Sequence, residues 1–202
     1  MLLAGIYERA EIDFVHRHLP VDQAVVELGA SLGGNTCQIA RRVLPTTAMV
    51  SVEANPEIVG ILRENISRNC GARTVDVVHA MIGDRVGEGS LEIGESTLES
   101  SAGTSGGRTV VVPMVTLAEV AARLGERPFS LVSDVEGAEI AIFTEQRSAL
   151  VHCNLMIIEC HSGAFGGRHY SLEEVVALPL ADGAWEMIDR HHAVAVYRRK
   201  RS

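Results

Sequence analysis

V-V-E-L-G-A-S-L-G-G-N-T, residues Val25 to Thr36, is the stretch that decides the fold. An apolar run ends beside an acid, Glu27. A glycine-rich turn follows, and helix-compatible residues come next. A buried strand that runs through such a turn into a helix N-terminus is how α/β folds present backbone N–H groups to a ligand. The spacing narrows the choice of ligand. A dinucleotide fingerprint needs G-x-G-x-x-G; here Ser31 stands where the second glycine belongs, which counts against NAD or FAD. A P-loop needs a lysine after its last glycine, and none follows Gly33 or Gly34. What remains is E-x-G-x-x-x-G, carried by Glu27, Gly29 and Gly33.

Working outward, Ile12, Val15 and Leu19 fall at helical spacing ahead of Pro20, predicting an amphipathic N-terminal helix with His16 and His18 facing solvent. Val25–Leu28 is a strand, followed by a helix capped at Asn35 or Thr36. Ala48–Val52 is a second strand ending at Glu53. Asn55 and Pro56 open a helix with Ile58, Ile61, Leu62, Asn65 and Ile66 on one face. Val75–Ala80 is a third strand. This alternation predicts parallel strands with right-handed crossovers and helices on both faces, a doubly wound α/β sheet. Ligands bind such sheets at the carboxyl ends of the strands, so Glu27, Glu53 and the stretch Ala80–Asp84 converge in space. Glu53 ends its strand where a carboxylate can accept both hydroxyls of a ribose. The plainer reading is an acid favoured by a helix N-terminus.

Residues 83–108 are dense in glycine and serine, with one short apolar alternation at Leu91–Ile93. They are read as a short hairpin and a flexible loop, most mobile over Ser96–Gly107. Thr109–Val112 is a short strand, and Thr116 with Glu119 makes a capping box. Phe129–Val135 is a buried strand running into D-V-E-G-A-E, residues 134–139, with a helix over Ile140–Leu150. Asn154–Cys160 is another apolar strand ending in Glu159, Cys160 and His161. A glycine-rich loop, Ser162–Tyr170, precedes a helix capped by Ser171. Trp185–Asp189 and Ala193–Arg198 close the chain as antiparallel strands.

The bulk properties exclude several classes. At 202 residues the chain is expected to be one domain with a single substantial core. Aromatics at 4% and a formal net charge of −8 argue against nucleic acid as partner. The basic run Arg198–Arg201 is read as a solubilising tail. Cys37, Cys70, Cys153 and Cys160 show no C-x-x-C pair, so they are read as reduced cytosolic thiols, mostly buried. No apolar stretch is long enough to span a membrane, and the N-terminus turns acidic too soon for a signal peptide. A cytoplasmic protein is expected.

Taken together, G-I-Y-E, E-L-G-A-S-L-G-G, V-E-A-N-P and S-D-V-E-G-A-E resemble, in order, the motifs of the FkbM family of S-adenosylmethionine-dependent methyltransferases. The resemblance runs from about Gly5 to Val196. It implies a Rossmann-like class I methyltransferase fold: a mostly parallel seven-stranded sheet with an antiparallel last strand. It also implies O-methylation of a hydroxyl on a sugar, polyketide or other small natural product. Residue by residue, it implies that Glu27, Gly29, Ala30, Ser31 and Gly33 cradle the methionine end. Glu53 and Ala54 would serve the ribose, and Met81, Ile82, Gly83 and Asp84 the adenine. Asp134 and Glu136 would lie beside the reacting centre. Tyr7 and Glu8, in the N-terminal segment 1–22, would close over the cofactor. Ser31 departs from the asparagine common at its position.

A hydroxyl is a weak nucleophile, so a base is useful. His161, Asp134, Glu136 and Glu159 are the candidates, and His161 has the most suitable ordinary pKa. Glu139 is read as a helix N-terminal acid. The same cluster offers ligands for a divalent cation, but the sequence shows no fixed ligand spacing and no metal is expected. The rival reading is a non-catalytic binding or scaffold domain that keeps the fold. The expected partner is a small-molecule acceptor of unspecified identity. The oligomeric state is left open, a homodimer included.

Overall fold

The computed structural model describes residues 4–71, 73–94, 100–101 and 108–201, with side chains from Ala10 onward except at 100 and 101. Helix α1 (Ala4–His18) leads into β1 (Ala24–Leu28), α2 (Gly34–Arg42), β2 (Met49–Glu53), α3 (Val59–Asn69) and β3 (Val75–His79). A second run holds β4 (Met81–Ile82), β5 (Gly87–Ile93), β6 (Ser100–Ser101) and β7 (Arg108–Val115). The chain then returns through α4 (Leu117–Ala122), β8 (Phe129–Ser133), α5 (Glu139–Glu145) and β9 (Cys153–Glu159). It ends with the small hairpin β10 (Gly163–Phe165) and β11 (Arg168–Tyr170), helix α6 (Leu172–Ala177), and β12 (Trp185–His191) and β13 (Val194–Arg199).

The main sheet has seven strands in the order β12-β13-β9-β8-β1-β2-β3. Pairings among β9, β8, β1, β2 and β3 are parallel, and the last strand, β13, runs antiparallel to both β9 and β12. Every residue of β1, β2 and β8 is buried, as parallel strands covered on both faces require. One face packs under α1, α2 and α3 through Phe14, Val15, Leu19, Ile39, Leu62 and Ile66. The other packs under α4, α5 and α6 through Leu117, Val120, Ile140, Phe143, Val175 and Val176. The strand order reverses its direction of growth between β1 and β8. That switch point is where the connections part and leave a crevice at the carboxyl ends.

Several local expectations are corrected. Helix α2 starts from Gly33 in a left-handed conformation (φ 88°), without a side-chain cap, because Asn35 and Thr36 are drawn to buried acids instead. Regular α3 begins at Val59. Asn55 still caps the preceding turn, its Oδ1 accepting from the Glu57 N–H at 2.9 Å. Ile61 is exposed. The helix expected over 140–150 breaks at Gln146 into α5 and a 3-10 turn. The buried Gln146 side chain accepts from the Leu117 N–H and donates to the Gly83 carbonyl, both at 2.8 Å. The capping boxes at Thr116 and Ser171 are present.

The described part of the segment after β3 forms longer strands than its composition suggests. Strands β5 and β7 pair along their whole length and form a four-stranded sheet, β4-β7-β5-β6. Strand β7 runs through Pro113, where β4 does not reach and a missing N–H is tolerated. The expected mobile stretch, Ser96–Gly107, lies outside the described residues apart from β6. The glycine-rich stretch Ser162–Tyr170 holds the β10–β11 hairpin. The basic run is not a tail throughout. Arg198 pairs with Glu186, and Arg199 lies over the Trp185 ring at 4.5 Å and donates to the Cys153 carbonyl. His18 is part-buried against Asp189, at 2.7 Å. All four cysteines are free and buried. Among the described residues, no helix is long and apolar enough to cross a membrane.

Gly29 shows how tightly the switch point is built. It has φ 80°, and a Cβ there would lie 1.7 Å from the backbone carbonyl oxygen of Asp134. Gly34, exposed at the start of α2, has no heavy atom within 4 Å of its own hypothetical Cβ. Gly29→Ala is therefore expected to lower the unfolding free energy by roughly 2–4 kcal/mol. Gly34→Ala is expected to raise it by about 0.5–1 kcal/mol. Urea unfolding midpoints test this, and a wild-type midpoint for Gly29→Ala would contradict the close approach.

Candidate active site

A cleft, open on one side, lies at the carboxyl ends of β1, β2 and β8, where ligands of doubly wound sheets bind. Its floor is Gly29, Ser31, Glu53 and Ala54. Ile58, Met81, Ile82 and Leu91 form an apolar wall, and Asp134, Val135, Glu136 and Ala138 the opposite end. Met81 belongs to β4 and Leu91 to β5, so the second sheet supplies part of the wall.

Glu53 stands at the last position of β2 and is buried. Its Oε2 accepts from the Ser31 N–H and its Oε1 from the Asn55 N–H, each at 2.7 Å. These bonds, with one from the Ala54 backbone N–H, fix the carboxylate. Burial raises its pKa, opposed by those backbone bonds. Ser31 has φ 47°, a left-handed conformation that asparagine and glycine tolerate better than serine.

Glu27 lies beneath the floor rather than in it. Its Oε2 accepts from Ser51 Oγ at 2.6 Å and Thr36 Oγ1 at 2.7 Å, while Oε1 is buried without a partner. Ser51 is its direct neighbour on β2. Burial pushes Glu27 up to about 7 against the pull of the two hydroxyls. Glu11 reaches in from α1 and accepts a hydrogen bond from Asn35. Burial raises it well above the carboxylate range, helped by the charges of Asp134, Glu27 and Glu159.

At the other end, Asp134 is pushed up to about 7, by burial first and by Glu159 next. Its Oδ1 is shielded from water with no hydrogen-bond partner. His161 Nε2 lies 3.8 Å from that oxygen, 3.6 Å from Glu136 Oε2 and 4.0 Å from Glu159 Oε1. On its other side, Nδ1 is 2.9 Å from Glu139 Oε1, which also accepts the His161 backbone N–H at 2.6 Å. Burial disfavours the protonated ring, but the Glu139 hydrogen bond and the charges of Glu139, Glu136 and Asp134 outweigh it. His161 is pushed up to about 9. At neutral pH it carries a proton, so the ordinary pKa that recommended it as a base does not apply here. Glu139 is more than a helix-terminal acid. It is fully buried, and its second oxygen accepts the Gly137 N–H at 2.8 Å.

The residues singled out from the sequence thus separate. Gly29, Ser31, Glu53, Ala54, Met81, Ile82, Asp134 and Glu136 line the cleft. Glu159 and His161 adjoin its acidic end. Glu27, Ala30 and Gly33 are buried support. Gly83 and Asp84 are not in the wall: Gly83 packs against Met114, and Asp84 pairs with Arg85. The side chains of Tyr7 and Glu8 lie outside the described residues. Glu11, Ser51 and Glu139 were missed as parts of the site. Glu11 stands in register with Val15 and Leu19 on the buried stripe of α1, an acid where an apolar residue belongs, and that was the available signal.

Solved structures share this architecture. EvdMO1 is 15% identical with a TM-score of 0.51, covering 94% of this chain; the chain spans only 41% of EvdMO1. A ribosomal protein L11 methylase from Lactobacillus delbrueckii subsp. bulgaricus is 12% identical with a TM-score of 0.54, covering 96% of this chain and 79% of that one. A precorrin-6y C5,15-methyltransferase from Geobacter metallireducens GS-15 is 12% identical with a TM-score of 0.53, covering 95% and 87%. No functionally curated protein matches the chain. The sheet order, the cleft at its switch point and these likenesses define a Rossmann-like methyltransferase fold. Within that class, the sequence profile of the methyltransferase FkbM domain matches residues 27–191, and the chain belongs to that family.

Glu27 has a testable thermodynamic signature. Its folded pKa is raised above the ordinary value, so the folded protein holds the proton more tightly than the unfolded chain. Its contribution to stability is therefore greatest below about pH 4.5 and is lost as pH rises to about 7, by on the order of 3 kcal/mol. Glu27→Gln should remove that share of the slope and leave the protein more stable than wild type at pH 8. Parallel slopes for the two proteins between pH 4.5 and 7 would show that Glu27 is not the buried titrating group.

Proposed function

We propose that the chain transfers a methyl group from S-adenosylmethionine to a hydroxyl oxygen of a small molecule, of the sugar, polyketide or natural-product type. One observation carries the reading. The cleft combines a fixed acid at the end of β2 and, at its other end, a buried Asp134 oxygen without a partner, joined across the tight Gly29 turn. A ribose diol suits the first and a cationic ammonium or sulfonium group the second. The residues therefore fit the cofactor that methyltransferases of this class generally use, and that cofactor supplies an electrophilic methyl group when bound.

In this reading Glu53, positioned by Ser31 and Asn55, accepts the ribose hydroxyls, with Ala54 beside it. Gly29, Ala30, Ser31 and Gly33 shape the turn for the methionine end, and Glu27 adds negative charge beneath it. Met81, Ile82, Ile58 and Leu91 present an apolar face to the adenine. Tyr7 and Glu8 close over the cofactor, as the family resemblance suggests. Asp134, Glu136, Glu159 and His161 orient the acceptor. Proton acceptance falls to the carboxylates, since His161 is already protonated at neutral pH. The net acidity of the chain favours a small neutral or cationic acceptor over nucleic acid.

Calorimetric titration with S-adenosylmethionine and S-adenosylhomocysteine tests the site. Both are expected to bind, and Glu53→Ala should weaken each by roughly 10- to 100-fold through loss of charged hydrogen bonds. Incubation with hydroxylated acceptors should then give products heavier by one methylene, read by mass spectrometry. No binding of either ligand would sink the reading and leave a scaffold role. Unchanged affinity in Glu53→Ala would remove the ribose assignment.

A further inference from the structure

We propose that Asp134, Glu136 and His161 form a binding site for a divalent transition-metal ion at the acceptor end of the cleft. The ligand types were present in the sequence without a fixed spacing, because the three ligands come from two strand ends far apart in the chain. Folding brings one ligand atom of each within 4.8 Å of the others. Asp134 follows β8 and Glu136 stands two residues on, in a left-handed backbone conformation (φ 49°), while His161 follows β9.

The spacing suits an ion better than direct contact. His161 Nε2 lies 3.8 Å from Asp134 Oδ1 and 3.6 Å from Glu136 Oε2, too long for hydrogen bonds. Two ligand atoms each about 2.1 Å from a shared ion stand roughly 3–3.5 Å apart, so small side-chain movements would close the shell. Asp134 Oδ1 is cut off from water and has no hydrogen-bond partner, and it faces this gap.

A second observation comes from outside the three ligands. Glu139, fully buried, holds Nδ1 of His161 at 2.9 Å and fixes the backbone at both His161 and Gly137. With the Nδ1 proton directed at a carboxylate, Nε2 is the ring nitrogen left to face Asp134 and Glu136. Metal-bound imidazoles are oriented in this way by a supporting carboxylate. Two carboxylates with one imidazole favour Mn²⁺, Fe²⁺ or Co²⁺ over Mg²⁺ or Ca²⁺, which prefer oxygen alone. Three ligands leave positions open for the oxygen of an acceptor. That use rests on the proposed methyl transfer, but the binding itself does not. The rival occupant of the same negative charge is the proton on His161.

The test uses Mn²⁺ with chelator-stripped, full-length protein. One ion per chain should bind at micromolar concentration, seen as loss of the free-ion electron paramagnetic resonance signal, with nitrogen coupling from a single imidazole. His161→Ala should abolish that coupling, and Asp134→Asn should weaken binding at least 10-fold. Glu139→Gln, which does not touch the ion, should weaken it by about 10-fold. Glu173→Gln, on the surface, should leave it unchanged. No binding to the folded wild type, or binding without imidazole coupling, overturns the proposal even if a variant fails to fold. If S-adenosylmethionine binds in chelator while Mn²⁺ does not, the metal site fails and the methyl-transfer reading stands. If Mn²⁺ binds with the expected coupling and the cofactor does not, the reverse holds.

Discussion

Everything at the functional end of this molecule depends on one close approach, the backbone carbonyl of Asp134 lying where a side chain at residue 29 would begin. The sheet grows one way from β1 through β2 and β3, and the other way through β8 and β9. The ends of β1 and β8 are therefore the two lips of the switch point. Without a glycine there the lips could not meet, and the Asp134 N–H could not reach the Leu28 carbonyl at 3.0 Å. The turn after β1 is then free to aim the Ser31 N–H at Glu53.

Around this junction the fold concentrates negative charge at a cost to its own stability. Glu11, Glu27, Asp134 and Glu53 all have raised pKa values, and burial is the largest cause for each. A protein selected only for stability would replace such groups with apolar ones. Keeping them is consistent with a ligand of positive charge, whose interaction would offset the cost of their burial.

The architecture was legible because it rests on periodicity. Apolar runs of strand length, alternating with helical patterns and punctuated by glycine, specify a doubly wound sheet. Glu53 was legible because it ends a strand. The acid–imidazole cluster was legible as residue types but not as an arrangement. Nothing local in H-S-G or D-V-E-G reports that Glu139 would grip His161 from beneath and shift its pKa to about 9. Glu11 was hidden by a helical stripe read one residue out of phase. Ser51 was hidden in an apolar strand, its meaning lying in its neighbour across the sheet. The pairing of β4, β5 and β7 was underestimated because Gly83 and Gly89 signal close packing, not freedom. Cβ atoms at Gly83 and Gly89 would collide with the sulfur atoms of Met114 and Met81.

Those two glycine–methionine contacts also govern how the chain can diversify. The second sheet has its own small core, Leu91, Ile93 and Val112, which meets the main body at Ala54 and Met81. It is keyed in place near the β4 end, by thioethers resting on bare backbone. A side chain added at Gly83 or Gly89 would displace these thioethers and shift the strands that hold Met81 and Leu91 in the cleft wall. Changes to the second sheet that spare the cleft are thus confined to positions away from these two contacts.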